Sequence, residues 1–77
     1  MEQLIHDMIE PLVDYPDDIS IIKEEREDKI VFKLSVHSDD MGKIIGKQGR
    51  VAKAIRTIVY SAARSHFDKK VYLDIVD

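Results

Sequence analysis

The sequence predicts an α+β fold, with three strands forming a sheet and three helices packed on one of its faces. Three observations lead there. Ile30, Phe32, Leu34 and Val36 alternate with more polar residues, the pattern of a half-buried strand. Val71, Leu73 and Ile75 repeat that alternation near the end, and apolar residues recur at helical spacing both before the first pattern and between the two. A chain of 77 residues makes one domain around one core, too small for a barrel or a doubly wound sheet.

Each element has its own signal. Leu4, Ile5, Met8, Ile9 and Leu12 predict an amphipathic helix over residues 2–10, which Pro11 ends because it disfavours helical geometry at Glu10 and lacks a donor. The stretch Asp14-Tyr15-Pro16-Asp17-Asp18 reads as a connector. A strand follows over residues 19–24, with Ile19 and Ile21 on one face and Ile22 on the other, and the polar residues 25–28 turn the chain into the alternating strand. Ser38-Asp39-Asp40 offers N-cap chemistry to a short helix holding Met41, Ile44 and Ile45. After Gly46-Lys47-Gln48-Gly49 a longer helix runs over residues 50–66, and the last strand closes the order helix–strand–strand–helix–helix–strand. The short link between the first two strands predicts antiparallel pairing. The last strand returns across a helix pair, so a parallel pairing is open to it and its place in the sheet is undetermined.

Composition excludes several classes. With 44% hydrophobic and 35% charged residues the chain has the make-up of a folded protein. The absence of Cys removes disulfides, thiolate nucleophiles and the usual zinc sites, and fits a reducing compartment. No apolar run approaches the roughly 20 residues of a membrane span, and the start Met1-Glu2-Gln3 is unlike a signal peptide, so the expectation is a cytoplasmic protein without a membrane partner. His6, His37 and His66 form no H-x-x-x-H pair, the serines lack a nucleophile-elbow context, and no P-loop spacing occurs; neither catalysis, a metal nor a cofactor is expected.

The net charge of −3 conceals an asymmetry. Residues 1–40 carry twelve acidic and four basic side chains, net −8, whereas residues 41–77 carry three acidic and eight basic ones, net +5. Residues 41–67 contain no acid at all, but hold Lys43, Lys47, Arg50, Lys53, Arg56 and Arg64. With a screening length of about 8 Å at physiological salt, a ligand senses this local charge more than the total. A merely solvated helix face would mix Lys with Glu.

These cations surround the turn Gly46-Lys47-Gln48-Gly49. Glycine at both ends allows positive φ and close backbone approach, and the orphan N–H groups opening the following helix favour an anion. Lys43, Lys47 and Arg50 add positive charge at the same spot, and a phosphodiester backbone is the natural ligand. The four letters G-x-x-G alone arise by chance about 0.36 times in a chain this long. Weight comes from the Ile44-Ile45 pair before them, the cation between them and the basic amphipathic helix after them.

The run Ile44-Ile45-Gly46-Lys47-Gln48-Gly49-Arg50-Val51-Ala52-Lys53-Ala54-Ile55-Arg56 resembles the signature of KH domains, and the element order resembles their type II, prokaryotic form. Chain length and the continuation Arg56-Thr57-Ile58-Val59-Tyr60 are most similar to the KhpA family of single-domain bacterial RNA-binding proteins. Gln48, uncharged where many relatives carry a second cation, and the acidic N-terminal half depart from the common pattern. The resemblance implies a clamp on about four nucleotides of single-stranded RNA. Amides near Lys47 to Arg50 would meet phosphates, aided by Lys43, Lys47 and Arg50, with Lys53 as an outer contact. Bases would lie over a floor of Ile44, Ile45 and Val51. No aromatic residue flanks the turn, so base stacking is not expected there. The implied role is non-enzymatic, as an RNA chaperone or post-transcriptional regulator; a protein-interaction subunit and a ribosome-associated assembly factor are the rivals.

The long helix also has an apolar arc of about 180°, wider than the ≳100° a core-facing helix requires. Either the helix sinks deeply into its own domain or an edge of the arc, at Ala54 and Ile58, meets another subunit. The resemblance implies a homodimer or a heterodimer with a KhpB-type KH protein.

Overall fold

Burial along the central strand follows its alternation: in the computed structural model, which describes residues 1–76, Ile30, Phe32 and Leu34 are buried while Lys29, Val31, Lys33 and Ser35 are half-buried. That strand, β2 (Lys29–Ser35), lies between β1 (Ser20–Glu25) and β3 (Lys70–Ile75). It pairs antiparallel with β1, as the short link predicts, and parallel with β3, which settles the place of the last strand. The sheet order is therefore β1-β2-β3, and β3 has one free edge.

The three helices are α1 (Glu2–Ile9), α2 (Met41–Ile45) and α3 (Arg50–Ala63). All three supply one core: Ile5 and Ile9 from α1, Ile44 from α2, and Ile55 and Val59 from α3 meet Ile30, Phe32, Leu34 and Leu73 of the sheet. The opposite sheet face stays open to solvent, with Ile22 and Tyr72 exposed and Lys33 paired to Glu24 at 3.1 Å. No helix is long and apolar enough to cross a membrane among the described residues.

Two boundaries differ from expectation. After α1 the chain continues through a 3₁₀ turn, Glu10–Leu12, because Pro11 at its start needs no donor there. The long helix stops at Ala63 rather than near residue 66. The carbonyl of Ala63 accepts from both His66 and Phe67 at 3.0 Å, a tight turn that brings Phe67 back beside Phe32, ring centroids 6.3 Å apart.

Candidate nucleic-acid interface

Residues 46–49 bridge α2 and α3 as a sharp corner whose backbone explains its glycines. Gly46 has φ 73° and ψ 178°, a region essentially reserved for Gly, and Gly49 sits in the left-handed region at φ 73°, ψ 16°. Gln48 is also left-handed, at φ 56°. A 3₁₀ turn over Lys47–Gly49 uses two amides internally: Gly49 N–H donates to the Gly46 carbonyl at 3.3 Å, and Arg50 N–H donates to the Lys47 carbonyl. Among the described residues the amides of Lys47 and Gln48 make no hydrogen bond, both side chains are exposed, and no side chain caps α3. The expected set of phosphate-facing amides therefore contracts to its two tip residues.

The expected base-facing floor divides. Ile45 is exposed and Val51 half-buried, so both present surface beside the turn. Ile44 is 0% exposed and belongs to the core. It supports that surface from beneath, because one residue's rotation along α2 turns the side chain from solvent to sheet.

The cations divide as well. Lys43 is tied to Asp14 and, at 3.3 Å, to Asp40. The hydrogen bond to Asp14 raises the Lys43 ammonium above its ordinary value against the effect of desolvation. Lys47, Arg50 and Lys53 are exposed and have no ion-pair partner among the described residues. Arg56 is turned inward instead, its Nε donating to the Leu73 carbonyl at 3.1 Å, while the Leu73 N–H donates to the Tyr60 hydroxyl at 3.2 Å. Arg56 and Tyr60 thereby occupy both backbone groups of Leu73 and fasten the β3 edge to α3.

Asp40 does not cap α2 as the sequence predicts. Its carboxylate accepts from the backbone N–H of Asp14 at 3.1 Å and of Tyr15 at 2.9 Å, closing the connector onto the entrance of α2. The N–H of Asp39 is satisfied by His37 Nδ1 at 3.0 Å, and the His37 ring stacks on Tyr15 with centroids 4.0 Å apart. Sequence reasoning had no signal for this cluster, since its partners lie 25 and 26 residues apart.

The corner, its unspent amides and its three unpaired cations form one positive surface. Comparison with known proteins decides the family: the family model described as KhpA/KhpB, KH domain matches residues 2–75. The chain belongs to this family of KH domains. Its α+β architecture, three helices over a mixed three-stranded sheet, is a KH-type fold. A protein of Bacillus subtilis named RNA-binding protein KhpA is 56% identical over 77 residues, covering 100% of this chain and 94% of the relative. Its namesakes in Oceanobacillus iheyensis and Listeria monocytogenes are 54% and 53% identical, over 99% and 100% of this chain and 100% of each relative. No solved structure matches the chain. Within the KH domain, Ala54 and Ile58 lie outside the core, Ile58 52% exposed, whereas Ala52, Ile55, Val59 and Ala63 are buried. Only part of the wide apolar arc of α3 is thus consumed by its own sheet.

Proposed function

We propose that this chain is a single, non-enzymatic KH module of the cytoplasm that binds single-stranded RNA and serves as an RNA chaperone or post-transcriptional regulator. The observation that carries the reading is the pair of unspent amides at Lys47 and Gln48, on an exposed turn beside the unpaired cations Lys47, Arg50 and Lys53. Two amides and a helix start offer phosphate oxygens donors without first breaking an internal bond. Ile45 and Val51 offer bases an apolar rest, while Gly46 and Gly49 let the strand approach the main chain. The relatives' shared name, RNA-binding protein KhpA, supports RNA as the polymer.

In fluorescence anisotropy with a labelled single-stranded RNA, the double variant Lys47→Asp, Gln48→Asp is expected to lose at least tenfold in affinity with an unchanged thermal melt. Wild-type affinity should also fall with salt, log K changing by about −0.7 per log unit of salt for each phosphate neutralised. Retention of wild-type binding by the double variant overturns the assignment.

The exposure of Ile58 favours a second property, association through the outer edge of α3 with another copy or a KhpB-type KH protein. Two linked weak sites bind more tightly than one. Ile58→Asp is expected to convert any dimer seen by analytical ultracentrifugation to monomer without unfolding it; an unchanged sedimentation profile rejects this surface.

A further inference from the structure

At the end of α3 remote from the turn, a cleft of about 500 Å³ opens against the start of β3, lined by Tyr60, Arg64, Phe67, Lys69, Lys70 and Tyr72 among others. Asp68 is the one acid in its wall. Three of the chain's five aromatic residues gather here, whereas none flanks the turn. The walls are held by named contacts. Arg56 and Tyr60 pin Leu73 to α3, and Lys69 is spent on Glu25 at 3.0 Å and on the Arg26 carbonyl at 2.8 Å. Arg64 and Lys70, both exposed, have no ion-pair partner among the described residues. The Tyr60 oxygen accepts the Leu73 N–H, so its own proton is available to a ligand. Tyr72 is 45% exposed on the sheet face away from the helices, and it reaches the cleft only because β3 is the edge strand.

The cleft is continuous with the turn along α3. At 100° per residue, Arg50, Lys53, Tyr60 and Arg64 fall within an arc of about 80°, one stripe from the turn to the cleft. Fourteen residues at 1.5 Å rise make this path about 21 Å long. A strand that follows this stripe leaves the turn with the four nucleotides clamped there and meets the cleft with a later one.

We propose that this cleft is a second contact for the same RNA strand, receiving a nucleotide beyond those at the turn. Arg64 and Lys70 take its phosphate, Tyr60 donates to a sugar or phosphate oxygen, and the base stacks on Tyr72. Charge selects the occupant: two unpaired cations beside an exposed aromatic ring suit a polyanion whose bases each carry a π-face. The proposal rests on the RNA-binding reading above and adds a footprint longer than four nucleotides.

The test uses random-sequence ribooligonucleotides of four and ten nucleotides. A decamer offers a four-nucleotide clamp several registers, so tighter decamer binding is not itself diagnostic; the response to substitution is. Arg64→Glu with Lys70→Glu, and separately Tyr72→Leu, are expected to weaken decamer binding about five- to tenfold and leave tetramer binding unchanged. Thermal melts verify that each variant is folded, and the two sets sample different chemistry should either fail to fold. Decamer affinity unaffected by both sets, or tetramer affinity falling equally, overturns the proposal. The Lys47→Asp, Gln48→Asp variant separates the readings: if it loses the decamer while the cleft variants keep it, the turn binds RNA and the cleft does not. If it keeps both oligomers, the RNA-binding reading itself fails.

Discussion

Gly46→Ala is expected to unfold a large fraction of the protein and abolish RNA binding, whereas Gly49→Ala leaves a folded protein with a modestly weakened turn. Both glycines have φ 73°, but ψ 178° puts Gly46 in a region essentially reserved for Gly, whereas ψ 16° puts Gly49 in the left-handed region that other residues can enter. Their surroundings separate them further. A Cβ at Gly46 would lie 2.4 Å from Val51 Cγ2, 2.9 Å from Val51 Cβ and 3.0 Å from Val51 N, while a Cβ at Gly49 meets nothing within 4 Å. At Gly46 backbone strain of roughly 1–3 kcal/mol adds to overpacking of roughly 1–3 kcal/mol. Val51 is the first apolar residue of α3, so relief by movement displaces the helix start and its amides together. At Gly49 the left-handed conformation alone costs roughly 1–2 kcal/mol. Domains have about 0.05–0.15 kcal/mol of stability per residue, and in a chain this small the first cost approaches the whole. Urea unfolding of the two variants decides the matter; equal midpoints would remove Val51 from the explanation.

Asp40→Ala is expected to lower the melting temperature by about 10 °C at neutral pH and to flatten the acid limb of the stability profile. The carboxylate is 0% exposed and accepts the backbone donors of Asp14 and Tyr15, which the substitution would leave unsatisfied. Burial pushes the Asp40 carboxyl upward, but those two N–H groups and Lys43 outweigh it and hold the group below the ordinary carboxylate value. A depressed folded value means the contribution is fully present above the unfolded value, about 3.9, and is lost as pH falls through the folded one. The wild-type melting temperature should therefore drop more steeply than the variant's between pH 5 and pH 2. Parallel profiles would show that Asp40 is not the titrating anchor. RNA affinity near neutral pH should change little in the folded variant, since Lys47, Arg50 and the tip amides do not depend on this carboxylate.

The site was legible where local pattern carries it. The alternation of Ile30, Phe32 and Leu34 identifies their buried face, and the two glycines with the basic helix after them identify the corner. Ile44 and Ile45 were not separable, because neighbours on a five-residue helix show no period until the sheet beneath defines inside and outside. Lys43, Lys47 and Arg50 looked equivalent on the chain. Lys43 is neutralised by Asp14, 29 positions away, a pairing no local window contains. The same holds for Arg56, which resembles its basic neighbours but serves Leu73 on the β3 edge, 17 positions on.

Residues within about four positions of one another determine periodicity, turn chemistry and capping potential, and for this chain those interactions suffice for the element order, the buried face of β2 and the corner at residues 46–49. The tertiary structure alone decided that β3 runs parallel beside β2, which cations keep their charge unpaired, and that an aromatic, basic cleft forms at the far end of α3. The reason is physical: strand order and ion pairing are settled by contacts between segments distant in sequence, which exist only once the common core has closed.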